Sequence, residues 1–251
     1  MKVNEIVLRG RKLVDKNIFA STTISLFFLM FFLPLTLIDN FLALFLQLML
    51  IVLFIYYFCL FFELQRESNI DKVKFYEPIK KINKNIFGFL LNSLFPFLFL
   101  ILSLFIFLMI ESYVLKDNIE VLMAINNAEE MVKNENMTGV IIGGFAFFAY
   151  FLLMIGVFVL MEVFLYNKKN KYFTKNIKEM SLFFYRNVTS ILLMFLRMLP
   201  WLLISIFTFG IGELYLMPYY ISVCNELVLE YLEAGNKINA LKNNEDDFIR
   251  I

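Results

Sequence analysis

The chain predicts an all-α polytopic membrane protein: six transmembrane helices in three hairpins, each preceded by a basic amphipathic helix on the cytoplasmic face. Three observations carry this. The 251 residues are 61% hydrophobic and 18% charged, whereas soluble domains hold about 45–50% apolar and roughly 25% charged residues. Six apolar runs, at 18–38, 41–62, 86–110, 139–166, 188–212 and 214–232, each approach the roughly 20 helical residues that cross a hydrocarbon core of about 30 Å. One design also recurs three times before the odd-numbered runs: a basic stretch ending in a basic residue and Asn, at Lys16-Asn17, Lys84-Asn85 and Arg186-Asn187. The runs are continuous rather than alternating, so helices and not barrel strands satisfy their backbone polar groups in lipid. All six belong to a single membrane domain over 1–251.

In the first basic stretch, VNEIVLRGRKLVDK, residues Val3, Ile6, Val7, Leu13 and Val14 share one helical face and Gly10 fills the gap. Arg9, Arg11, Lys12 and Lys16 lie elsewhere, the pattern of an interfacial helix. Before the third run Ile70, Val73, Ile79 and Ile82 roughly repeat it, with Pro78 starting or kinking a helix. Before the fifth, Phe173, Ile177, Met180 and Phe184 recur at helical spacing. Two readings stand: a threefold structural repeat, or ordinary snorkelling residues beside a membrane.

Charge sets the orientation. Segments 1–17, 63–85, 167–187 and 233–251 hold 20 of the 23 Lys and Arg residues, whereas 111–138 holds two lysines against six acids. Positive charge stays on the cytoplasmic side, so both termini are expected there, with 233–251 a cytoplasmic tail. Outside lie an Asp39-Asn40 turn, the 111–138 loop and a turn around Gly210 and Gly212. The first run is too long for a cleaved leader and lacks a small-residue cleavage site. Lys outnumbers Arg 17 to 6, which fits an AT-rich bacterial genome and hence a bacterial plasma membrane.

Prolines punctuate the runs. Pro96 and Pro200 fall mid-run at similar distances from their Asn junctions, and Pro218 falls early in the sixth. Each removes a backbone hydrogen bond and kinks its helix. Gly210 and Gly212 permit the tight turn before the sixth run. Trp201 is expected inside the bundle, and the hydroxyls of Tyr219 and Tyr220 require partners or a wet cavity.

Enzyme signatures are missing: GxSxG, a P-loop and HExxH are absent. There is no His, the two cysteines (Cys59 and Cys224) fall inside runs, and the net charge is +1. No catalytic activity, metal or cofactor is expected, and nucleic acid is not a partner. Ionisable residues inside spans are costly and usually paired. Arg197 in the fifth run, Glu162 near the inner end of the fourth and Glu226 in the sixth are therefore the candidate site, with Arg197 expected to pair with Glu226 or Glu162. Such a pair either locks the bundle or binds an anionic or amphipathic substrate.

The run WLLISIFTFGIGELYLMPY at 201–219 resembles the C-terminal signature of the bacterial six-span family catalogued as domain of unknown function 975. That family is similar to the membrane domain attached to some glycerophosphodiester phosphodiesterases. The start, EIVLRGRKLVDKNIFA, also resembles that family's basic N-terminal helix. The resemblance implies a fold and no reaction, because the chain has no phosphodiesterase catalytic domain. Together these features lead to two expectations. One is a transport-class protein that moves an amphipathic peptide or lipid, alone or as a permease-like partner of an ATPase or other membrane subunit. The other is an immunity or envelope scaffold protein whose acidic loop meets a cationic amphipathic peptide. The lipid bilayer is a partner in both.

Overall fold

The computed structural model describes residues 3–38, 41–67, 73–82, 86–123, 135–168, 173–207 and 212–248. Among them are nine helices and no strand: α1 (Val3–Lys16), α2 (Ile18–Thr36), α3 (Phe41–Glu67), α4 (Glu77–Lys81), α5 (Ile86–Asn92), α6 (Leu94–Met123), α7 (Glu135–Lys168), α8 (Phe173–Phe207) and α9 (Glu213–Phe248). Five stretches are long and apolar enough to cross a membrane: Ile18–Thr36, Leu46–Glu67, Ile86–Val114, Ile141–Lys168 and Lys175–Pro200. Their outward surfaces are apolar. Phe19 is 82% and Phe145 71% exposed, and leucines and isoleucines line the same helices. Apolar patches of this extent mark contact with lipid or protein rather than water, so the helices point to a membrane location.

The chain divides into two units. The first joins Met1–Ser93 to Val159–Ile251, and the second is Leu94–Phe158. In the first, the fully buried Phe58, Phe61 and Phe62 of α3, Phe164 of α7 and Phe183 of α8 make an aromatic core. Phe164 and Phe183 lie 5.2 Å apart, centroid to centroid. Helix α9 is the hub of this unit: from 218 to 228 every residue except Glu226 is buried, and α1, α2, α3 and α8 pack against it. In the second unit, Phe107 of α6 stacks on Tyr150 of α7 at 4.2 Å. The Tyr150 hydroxyl donates to the Ser103 carbonyl at 3.2 Å.

The sixth expected span does not match the other five. Helix α9 covers 214–232 but is not among the stretches apolar enough to cross. Its tyrosines, Asn225, Glu226 and Glu230 lower its hydropathy, and burial against neighbouring helices shelters them instead.

The three basic stretches also differ from one another. The first is the separate amphipathic helix α1. Among the described residues before the third run, Glu77–Lys81 is helical, with Pro78 in its first turn. Before the fifth, the stretch is continuous with the span, because α8 runs unbroken from Phe173 through Asn187 to Phe207. Nothing between 173 and 187 is Gly or Pro, so nothing stops the helix. Among the described residues the three stretches are therefore not three comparable surface helices. The expected 111–138 loop is shorter than predicted, since α6 continues to Met123 and α7 starts at Glu135. The expected tail is helical to Phe248. The Asp39-Asn40 turn, the Asn85 junction and Gly210 lie outside the described residues, as does the Trp201 side chain.

Pro96 acts as its chemistry requires. It has no N–H to offer the carbonyl of Asn92, and the third run is split at Ser93 into α5 and α6. Pro200 and Pro218 sit inside α8 and α9, which continue past them. Gly212 starts α9: its carbonyl accepts from the Tyr215 and Leu216 amides at 3.2 and 2.9 Å.

Candidate functional site

Helix α1 packs on α9 by its apolar face. Val3, Ile6, Gly10 and Val14 are buried, at the i, i+3/i+4 spacing of one face. The predicted face is the right one, but protein covers it rather than lipid. The contact is closest at Gly10, where a Cβ would stand 2.7 Å from Val223 Cγ2 and 2.9 Å from the Val223 backbone. Only glycine allows that approach. The Ser222 hydroxyl donates to the Gly10 carbonyl at 2.9 Å, and Gln65 Nε2 of α3 donates to the Leu13 carbonyl at 3.0 Å. Farther along, the Tyr215 hydroxyl donates to Asp15 Oδ1 at 2.8 Å.

Beside this contact lies the charged cluster. Glu226 and Glu230, one helical turn apart on α9, share a face. Arg9 spans them, with Nε 3.0 Å from Glu226 Oε2 and a terminal nitrogen 2.5 Å from Glu230 Oε2. The hydrogen bond to Glu230 raises the Arg9 pKa above its ordinary value, outweighing the lowering by burial. Arg66, in the last turn of α3, donates to the other oxygen of Glu226. Each oxygen of Glu226 is thus held by a different guanidinium, and one carboxylate ties α1, α3 and α9 together. Next to it, Asn167 Nδ2 lies 2.7 Å from the Asn225 amide. With its oxygen turned toward Arg66, Asn225 accepts from that guanidinium at 3.2 and 3.3 Å. Tyr166 donates to Glu63, which extends the polar layer across α3 and α7.

Glu162 stands apart from this cluster. Its side chain is 0% exposed. Ser93, at the break between α5 and α6, donates to Glu162 Oε2 at 2.6 Å, and the same hydroxyl lies 3.0 Å from the Phe89 carbonyl. Glu162 Oε1 has no hydrogen-bond partner among the described residues, and no cation is paired with this carboxyl among them. Arg197 is exposed on α8 and forms no ion pair with a described residue.

The three predicted residues are therefore not paired with one another: Glu226 is bound by Arg9 and Arg66, Glu162 by Ser93, and Arg197 is exposed on α8 with no ion pair to either. Pro96 follows Ser93 by three residues in the sequence. Gly212 and Pro218 lie at the start of the helix that carries Glu226. Sequence reasoning read Arg9 and Arg66 as orientation signals and passed over Ser93, Asn225 and Glu230. The signal for Glu230 was its i, i+4 spacing from Glu226. The signal for Ser93 was a hydroxyl three residues before a mid-run proline. Cys59 and Cys224 are free and buried. No family model, no curated protein and no solved structure matches this chain.

Proposed function

We propose that this chain is a six-span integral protein of a bacterial plasma membrane, both termini cytoplasmic, acting in transport and not as an enzyme. Its cargo is an amphipathic peptide or lipid, moved alone or in company with an ATPase. In this reading α9 is the sixth crossing, the helices form three hairpins, and 201–219 and the N-terminus follow the plan of the family they resemble. The burial of α9 within protein supports it, because Asn225 and Glu226 are then kept from lipid.

One observation carries the functional part. Glu162 is a fully buried carboxyl without a cation among the described residues, hydrogen-bonded to a serine at a helix break three residues before a proline. A carboxyl buried in apolar surroundings destabilises its bundle unless fully partnered, and ionisable groups inside spans mark substrate or ion paths. A structural lock is expected to hold a countercharge, as Glu226 does, and Glu162 has none among the described residues.

The test is translocation in vesicles of the purified chain, with a fluorescent cationic amphipathic peptide and a fluorescent phospholipid as cargoes. Wild type is expected to move one of them. Glu162→Gln, which keeps the oxygen that accepts from Ser93, is expected to lose at least about tenfold in rate, or 1.4 kcal/mol of barrier, with unfolding unchanged. If wild type moves neither cargo, transport is wrong.

A second reading, an immunity or scaffold protein, is favoured by charge: 111–138 holds six acids against two lysines. Deleting 124–134 and scoring sensitivity to a cationic peptide tests it; unchanged sensitivity removes it.

A further inference from the structure

The segment 73–82 lies against α2 and α3 and mixes lysines with apolar side chains. Val73 and Pro78 are buried, and Phe75, Tyr76, Ile79 and Ile82 are exposed. Two contacts fix its place. The Phe75 ring stacks on Phe27 of α2 at 5.9 Å, and the Tyr57 hydroxyl of α3 donates to the Phe75 carbonyl. Phe27 is itself half exposed, within a stretch long and apolar enough to cross a membrane. Tyr57 precedes Glu63, a member of the polar layer, by six residues, roughly 9 Å along α3. With that layer at the membrane boundary, Phe75 falls within the 5–10 Å or so to which amphipathic segments sink between headgroups and acyl chains.

The lysines of this segment are unevenly served. Lys81 pairs with Glu67 at 2.8 Å. Lys74 and Lys80 are exposed, and both hold their ammonium groups over one ring, that of Tyr76, at 5.9 and 5.5 Å from its centroid. Neither forms an ion pair with a described residue, and Glu77, the acid within 73–82, is paired with neither. An aromatic face attracts a cation but carries no net charge. Two like charges are therefore gathered beside exposed apolar side chains with no carboxylate to offset them.

We infer that this face holds an anionic phospholipid, with Lys74 and Lys80 on its phosphate and Ile79, Ile82 and the two rings against its acyl chains. Charge selects the class. A zwitterionic lipid carries its own cation, which offsets the phosphate, whereas an anionic lipid leaves net negative charge for lysines near the surface. A free phosphate makes no use of the apolar neighbours. Aromatic rings suit headgroup level, and lysine stems run along apolar surface to set their ammonium groups there. The inference goes beyond lipid as cargo, by naming a resident lipid and the residues that hold it. It rests on the membrane reading above and not on the transport one.

The test uses the full chain expressed in bacterial membranes, and its retention after a carbonate wash is scored first. A chain that washes out overturns the membrane reading and this inference with it. A retained chain is purified and equilibrated in mixed micelles with equal phosphatidylglycerol and phosphatidylcholine, and the lipid it keeps is counted by native mass spectrometry. Wild type is expected to keep phosphatidylglycerol about tenfold over phosphatidylcholine. Lys74→Ala with Lys80→Ala should remove most of that preference, and Lys74→Arg with Lys80→Arg should keep it. Lys175→Ala with Lys178→Ala, which removes two exposed lysines of α8, should keep it too. Equal retention of the two lipids by wild type overturns the inference while the membrane reading stands. So does a preference unchanged in the Lys74 and Lys80 alanine pair, which would leave the face to a protein partner. A preference lost equally in the α8 pair also overturns it, because diffuse charge and not this face would then select the lipid.

Discussion

Replacing Gly10 by alanine tests how α1 is seated. The added Cβ would meet Val223 at 2.7 Å on its side chain and 2.9 Å on its backbone. Val223 is fully buried within the hub helix, so its backbone cannot yield cheaply and α1 must move instead. Reaching an ordinary carbon–carbon separation requires a lift of roughly 1 Å, which forfeits about a quarter to a half of the dispersion well at each contact. Ile6 and Val14, 1% and 0% exposed, lie in that contact. The same lift stretches the Ser222–Gly10 hydrogen bond from 2.9 Å beyond bonding range. Overpacking costs about 1–3 kcal/mol and the lost bond about 1 kcal/mol, while alanine regains about 0.5–1 kcal/mol of helix propensity. The expected net loss is roughly 1–3 kcal/mol. Denaturant unfolding in mild micelles measures it, and faster proteolysis within α1 should accompany it. Gly88→Ala is the matched control, because a Cβ there meets nothing within 4 Å and only the propensity gain remains. If Gly10→Ala is as stable as wild type, or tracks Gly88→Ala, the close seating of α1 on α9 is wrong.

Three further outcomes follow from the same geometry. Tyr215→Phe removes the 2.8 Å bond to Asp15 and should lower stability by about 1 kcal/mol, whereas Arg11→Ala, which removes the solvent-exposed 3.3 Å pair with Asp15, should shift the unfolding curve less than Tyr215→Phe does; paired unfolding curves decide both. Ser93→Ala leaves Glu162 without its donor and should cost about 1–3 kcal/mol, and a stability equal to wild type would mean that water or another group already serves that oxygen. Pro96→Ala supplies the missing N–H to the Asn92 carbonyl, so amide exchange at 93–97 should slow as α5 and α6 fuse; unchanged exchange would show that the break at Ser93 has another cause.

Several elements were legible because lipid and helix geometry leave few alternatives. The apolar runs marked five helices long enough to cross, and the spacing of Val3, Ile6 and Val14 marked the buried face of α1. An apolar face does not declare its partner, however, and lipid and α9 demand the same side chains of it. The start of α8 was hidden for a related reason: hydropathy falls before Val188, but the backbone has no reason to break there. Its buried stripe, Asn176, Met180, Phe183, Asn187, Ile191 and Met194, passes through the junction and differs by about one position from the predicted one. The pairings within the site were the least legible. Arg9 is 217 residues from Glu226, and a cation placed by the orientation rule gives no sign that it also binds a carboxylate. Pairing Arg197 with Glu226 was reasonable electrostatics, but it lacked the knowledge that two other guanidiniums reach Glu226 first.

Glu226 as the tie between helices, and Arg197 as a residue that forms no ion pair with the described carboxylates, form the core of this account. The unfolding free energies of Glu226→Gln, Arg197→Leu and their double variant test it most directly. Glu226→Gln leaves Arg9 and Arg66 facing each other without their carboxylate and should cost about 2–4 kcal/mol. Arg197→Leu should change stability by no more than about 0.5 kcal/mol, and the two effects should add. A loss in Arg197→Leu equal to that in Glu226→Gln, with no further loss in the double variant, would mean that the two residues pair, contradicting the account.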